Sequence, residues 1–180
     1  MHQAVSIRKP LPNEIPEIAT IGRRLFIETF VGVYSDEDLT VFLDQVHSVE
    51  GVTVDWNADC QYWIAETDQD DTQLQAKQWI GYCKAGPVSV PVETYERRSL
   101  ELRQLYIDGL FHRFGIGSRF MAEFFRLCEI REIQDAYVSC WSENAKGLAF
   151  YMHFGFEVIG QYEFVVGKQR DAELILRKRL

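Results

Sequence analysis

The stretch from Ser99 to Ser118 constrains this chain more than any other. Ser99–Ile107 reads as an apolar strand, and Asp108-Gly109 stops it. A loop containing Gly115 and Gly117 then opens a segment in which Ile116, Phe120, Phe124 and Leu127 recur at helical spacing. Ala136–Cys140 supplies the next strand, and Asn144–His153, with Gly155 as its stop, the next helix. Strands that alternate with helices in this way point to an α/β sandwich around a mixed sheet.

The loop carries chemistry of its own. The first amides of a helix lack intrahelical partners, and the macrodipole adds partial positive charge there. Glycines at 115 and 117 let a ligand come close to the main chain. His112-Arg113-Phe114-Gly115-Ile116-Gly117-Ser118 therefore reads as a cradle for a pyrophosphate; the plainer reading is a tight turn. It is no P-loop, because the Gly-Lys-Ser/Thr step is missing. It fits a dinucleotide fingerprint poorly, because Phe120 stands where a third small residue belongs and the strand comes late in the chain.

The first half reads less sharply. Val5–Arg8 is a short strand broken by Pro10 and Pro12. Asn13 is placed to cap a helix running to about Phe30, with Ile15, Ile18, Ile21, Leu25 and Phe26 on its apolar face. Ser35 and Asp38 form a capping pattern ahead of Leu39, Phe42, Leu43 and Val46. Gln61–Glu66 and Gln78–Ala85 are strand candidates joined by a polar loop from Thr67 to Lys77, and an irregular loop runs from Gly86 to Arg98. Phe156–Tyr162 and Glu173–Lys178 finish the chain as strands. With 180 residues and no repeat, a single domain over 1–180 is expected.

Charge and cysteines exclude several classes. Twenty-seven acidic against nineteen basic residues give a formal charge of −8, a poor match to a phosphate backbone, so no nucleic acid is expected as partner. No segment reaches the roughly 18–20 apolar residues of a membrane span, and Met1–Pro12 lacks the apolar core of a signal peptide, so no membrane association and a cytoplasmic location are expected. Cys60, Cys83, Cys128 and Cys140 show no C-x-x-C spacing and no nearby His, which predicts reduced thiols and no metal.

Two blocks together resemble the GNAT superfamily of acetyl-CoA-dependent N-acetyltransferases. His112-Arg113-Phe114-Gly115-Ile116-Gly117 is similar to the superfamily's Gln/Arg-x-x-Gly-x-Gly/Ala motif, with His112 as a departure. Asn144 to Tyr151, followed by Phe154-Gly155-Phe156, resembles its Asn-x-x-Ala-x-x-Phe-Tyr helix and Gly-Phe turn. The resemblance implies an α/β (α+β) GNAT fold, a mixed central sheet of about six or seven strands flanked by about four helices. It implies acetyl-CoA as cosubstrate, without a metal, bound along Leu105-Tyr106-Ile107, through the amides of His112 to Ser118, and by Asn144. The N–H of Leu105 or Ile107 would polarise the thioester carbonyl, and Tyr151 would protonate the departing thiolate. Glu101, near the start of the same strand, is the candidate base for the acceptor amine.

A narrower resemblance, to PaiA-type polyamine acetyltransferases, rests on Arg24-Leu25-Phe26, Thr29-Phe30, Tyr34, Glu37-Asp38-Leu39, Leu100-Glu101-Leu102, and the ending from Phe164. It implies a small primary amine, a polyamine such as spermidine, as acceptor. An amino acid, a drug-like amine or a peptide N-terminus stays open, as does a non-catalytic acyl-CoA-binding module. From Leu25 to Ala76 there are twelve acidic residues and no Lys or Arg, a field suited to a polycation if the first helices overhang the acceptor site. A homodimer contact through Tyr162, Phe164 and this acidic front is a further expectation.

Overall fold

The computed structural model describes residues 4–68, 77–94 and 97–180. In chain order the elements are β1 (Val5–Arg8), α1 (Ile15–Thr29), α2 (Asp36–Val46), α3 (Val49–Asn57), β2 (Gln61–Asp68) and β3 (Lys77–Gly86). Then follow β4 (Ser99–Ile107), α4 (Ile116–Ile130), β5 (Asp135–Trp141), α5 (Ala145–His153), β6 (Glu157–Val166) and β7 (Gln169–Arg179). Short 3-10 turns at Pro12–Glu14 and Gly109–Phe111 precede α1 and the glycine loop. The mixed seven-stranded sheet with helices on both faces is the GNAT architecture expected from the two motifs.

The strands lie in the order β1-β2-β3-β4-β5-β7-β6, and only β4 and β5 run parallel. α4 is the crossover that returns the chain to the starting end of the sheet. Its Phe120, Met121 and Phe124 are fully buried against Ala65, Cys83, Leu102 and Val138. On the opposite face α1 and α3 cover Tyr62, Ile64 and Tyr82 with Ile18, Leu25 and Val52. α2 sets Phe42 and Leu43 against Phe26 and Val166. The period of two along a strand sends Trp63 and Ala65 to one layer and Tyr62 and Ile64 to the other.

All four cysteines are free and buried. Burial pushes the thiols of Cys128 and Cys140 up to about 12, so they stay protonated and inert. No helix among the described residues is long and apolar enough to cross a membrane.

The structure departs from the sequence reading in four places. α3 is absent from that reading because Gly51 and the β-branched Val49, Val52, Thr53 and Val54 all disfavour helix; the Ser48 cap, whose Oγ accepts from Gly51 N at 3.0 Å, and burial of Val52 override them. Asn13 is no cap: it lies inside the 3-10 turn, and Glu14 accepts from Leu11 N at 2.7 Å while Arg8 grips it at 2.7 and 2.8 Å. Thr67 is buried strand rather than loop; the expected loop at 69–76 lies outside the described residues. β6 and β7 extend to a tight hairpin at Gly167, whose φ of +58° requires the left-handed freedom of glycine.

Candidate active site

The site begins where the parallel ladder ends. β4 pairs with β5 from Ser99↔Asp135 to Leu102↔Val138 and no further. Beyond that point β4 continues on β3 alone, and β5 continues on β7. Lys84 faces Gln104 and Ala85 faces Leu102, so Arg103 is an extra residue that bends β4 at the point of separation. Asp108 N donates to Ile80 O at 2.8 Å, toward β3. Strand amides alternate in direction, so Leu105 and Ile107 aim theirs into the gap, while Tyr106 turns toward β3. His112 confirms that direction: its Nε2 lies 2.9 Å from Ile107 O, and since a carbonyl only accepts, Nε2 carries the proton.

Next to the gap lies the loop into α4. Arg113 has φ +69° and Gly115 φ +75°, two left-handed residues within three positions. Such alternation turns successive amides into a concave anion nest. Gly115 is the N-cap without a side-chain bond, and the first intrahelical bond runs from Arg119 N to Gly115 O at 3.1 Å. The amides of Ile116, Gly117 and Ser118 therefore precede the helical ladder. A Cβ at Gly115 would meet nothing within 4 Å, whereas one at Gly117 would press on Phe150 at 3.2 Å. Gly115 thus serves the turn, and Gly117 serves the packing of α4 on α5. His112, Arg113, Phe114, Gly115 and Ser118 are exposed along the rim, and Ile116 is buried beneath it.

α5 flanks the same opening. Asn144 caps it, its Oδ1 accepting from Gly147 N at 2.9 Å, with the side chain exposed. Tyr151, two turns along, packs on the rings of Phe150 and Phe156. Burial, with smaller contributions from Cys140, Cys83, Tyr106 and Glu173, raises its hydroxyl above the usual tyrosine range and keeps it protonated.

At the end of β5, Trp141 meets Phe30, and Phe30 meets Tyr34. Phe30 and Trp141 ring centroids are 6.1 Å apart. Tyr34 donates to Asp171 Oδ2 at 2.5 Å, and Lys168 N donates to Asp38 Oδ1 at 2.7 Å, so the α1–α2 segment is tied to the hairpin. Glu101 is buried, 3 % exposed. Its Oε2 accepts from Ser89 N at 2.5 Å, Ser89 Oγ at 2.9 Å and Val90 N at 3.2 Å, the contacts of a loop anchor. Sequence reasoning missed Glu173, whose Oε2 accepts from Tyr162 at 3.1 Å. Its signal was available: Asp171 and Glu173 are carboxylates two apart on a strand whose next same-face residue is apolar Ile175.

The acidic run is less bare than its sequence. Glu28, Glu37, Asp44, Asp55, Asp59 and Glu66 all pair with bases from outside it; Asp70 and Asp71 lie outside the described residues. Phe164 packs on Phe42, and Tyr162 turns inward to Ser139 and Glu173, so both aromatic groups of the expected dimer contact are engaged within the chain. Among the described residues no three His, Cys, Asp or Glu side chains are grouped to hold a metal ion.

Comparison with known proteins agrees with this geometry. The sequence model of the acetyltransferase (GNAT) domain matches residues 58–158. An uncharacterized N-acetyltransferase in the pepI 3' region of Lactobacillus delbrueckii subsp. lactis is 24% identical over 182 residues, covering 98% of each chain. Among solved structures, PaiA N-acetyltransferase from Thermoplasma acidophilum, in complex with coenzyme A, superposes with TM-score 0.70 at 19% identity, over 98% of this chain and 99% of that one. The yncA protein of Salmonella typhimurium, solved with its cofactor acetyl-CoA, superposes with TM-score 0.66 at 15% identity, over 98% and 94%. From the split sheet, the glycine loop and the domain match together, the chain belongs to the GNAT family of acetyltransferases, enzymes of acyl transfer.

Proposed function

We propose that this chain moves the acetyl group of acetyl-CoA to a small primary amine, with a polyamine such as spermidine as the acceptor. The carrying observation is the end of the β4–β5 ladder at Leu102/Val138, beside the α4 loop. The gap takes a slender thioester arm, and the amides of Ile116, Gly117 and Ser118, which precede the helical ladder, suit a diphosphate. Asn144 would touch the pantetheine arm with the part of its amide not used in capping. The N–H groups of Leu105 and Ile107 would receive the thioester oxygen as negative charge grows there. Tyr151, held neutral by burial, would give its proton to the departing sulfur.

Two features support a small cationic acceptor. The ties Tyr34–Asp171 and Asp38–Lys168 hold the α1–α2 segment against the β6–β7 hairpin, an arrangement that suits a small acceptor better than a bulky peptide. An aromatic ring beside a carboxylate, Trp141 in register with Glu173 and against Phe30, suits an alkylammonium. The acidic run contributes less than its charge implies, given its pairing.

The test is thiol release from acetyl-CoA with spermidine, lysine and a short peptide, alongside a calorimetric CoA titration. Release fastest with spermidine is expected. CoA binding without release from any amine would mark a binding module instead.

A further inference from the structure

We infer, resting on the acetyl-transfer reading, that Glu173 takes the proton from the acceptor amine, and that Tyr162 and Ser139 are positioning residues for its carboxylate. Three same-face residues of β7 decide this. Ile175 is covered by Val90 and Tyr137, and Asp171 is taken by Tyr34. Glu173 lies between them, in register with Trp141 at the end of β5 and with Tyr162 on β6. It is only partly buried, and a hydroxyl holds it: Tyr162 donates to Oε2 at 3.1 Å and lies 3.3 Å from Ser139 Oγ. Hydroxyls orient a carboxylate without neutralising it. Glu101 is held differently, since its Oε2 already receives three donors from Ser89 and Val90.

The surroundings suit a base. Burial raises the Glu173 carboxyl above its usual range; Ser139 and Tyr162 oppose this, and Glu101 on β4 and Asp171 on β7 add to it. Glu173 in turn acts on Tyr34 from the α1–α2 turn and on Tyr106 of β4. Its charge also acts on Cys140 of β5 and on Tyr151 of α5, the proposed acid. In the step, an ammonium N–H bond breaks and its proton passes to a Glu173 oxygen. The freed nitrogen pair forms the bond to the acetyl carbon, the C–S bond breaks, and Tyr151 protonates the sulfur. A second nitrogen proton is lost as the amide forms and restores Tyr151. The sum is one amide, one thiol and one proton released from Glu173 to solvent.

The test is the pH dependence of kcat/KM by thiol release with spermidine, together with CoA titration of each variant. Wild type should lose activity toward acid with an apparent pKa above the free carboxylate value of about 4.3. Glu173→Gln should lower kcat about 100-fold, abolish that acid limb and leave CoA affinity unchanged. Tyr162→Phe should move the limb to higher pH, because a donor that favours the ionised carboxylate is gone. Glu101→Gln should keep the limb in place, with a less stable fold. An acid limb that survives in Glu173→Gln, disappears in Glu101→Gln, or stays unmoved in Tyr162→Phe overturns the assignment. Wild type that binds CoA and acetylates no amine sinks the acetyl-transfer reading along with it.

Discussion

The hydroxyl of Tyr34 lies 2.5 Å from Oδ2 of Asp171, joining the turn after α1 to the start of β7 across 137 positions of sequence. Hydrogen bonds to a charged partner contribute about 1.5–3 kcal/mol. Tyr34→Phe should lower unfolding free energy by about 1–2 kcal/mol in urea titration and raise KM for the amine several-fold, with CoA affinity unchanged. An unaltered amine KM would separate this tie from the acceptor side.

Gly115 tests the cradle through its backbone. At φ +75° an alanine is strained, while its Cβ meets nothing within 4 Å. Gly115→Ala should cost about 1 kcal/mol in stability and weaken CoA binding at least tenfold by calorimetry. Gly109 also has open space around it but no positive φ, so Gly109→Ala is the matched control and should bind CoA normally.

Tyr151 tests the acid. Tyr151→Phe keeps the ring packing on Phe150 and Phe156 and removes only the hydroxyl. kcat should fall about 100-fold while CoA affinity holds. Equal loss in kcat and in CoA affinity would reassign the residue to binding.

His47 sets an acid limit on the fold. It is 4 % exposed, its Nε2 has no hydrogen-bond partner among the described residues, and burial pulls its pKa from 6.5 down to about 3. The folded chain keeps it neutral, while the unfolded chain binds a proton below 6.5. Stability is therefore whole above that pH and falls as pH drops toward 3. About 2 kcal/mol should vanish between pH 7 and pH 5, read as a shift in denaturation midpoint. His47→Gln should flatten this dependence, whatever it does to stability at pH 7.

Much of the second half was legible because its signals are local. β4 and α4 follow from alternation and helical spacing; in the first half the Ser35 cap of α2, accepting from Asp38 N at 3.2 Å, is local in the same way. α3 was hidden because its helix is fixed by packing of Val52 rather than by propensity. The glycine loop and α5 could be named because their spacing is contiguous. The contacts of Glu101 could not, since its partners Ser89 and Val90 sit in an irregular loop that no periodicity marks. Glu173 escaped for a similar reason: its meaning depends on Tyr162 and Ser139, brought beside it only by strand order.

The ties Asp38–Lys168 and Tyr34–Asp171 lie outside residues 58–158, the part shared with the family's domain. On the acceptor reading proposed above, amine choice is set jointly by segments that precede and follow that stretch. Loss of β7 would remove Asp171, release Tyr34 and take a strand from inside the sheet at once.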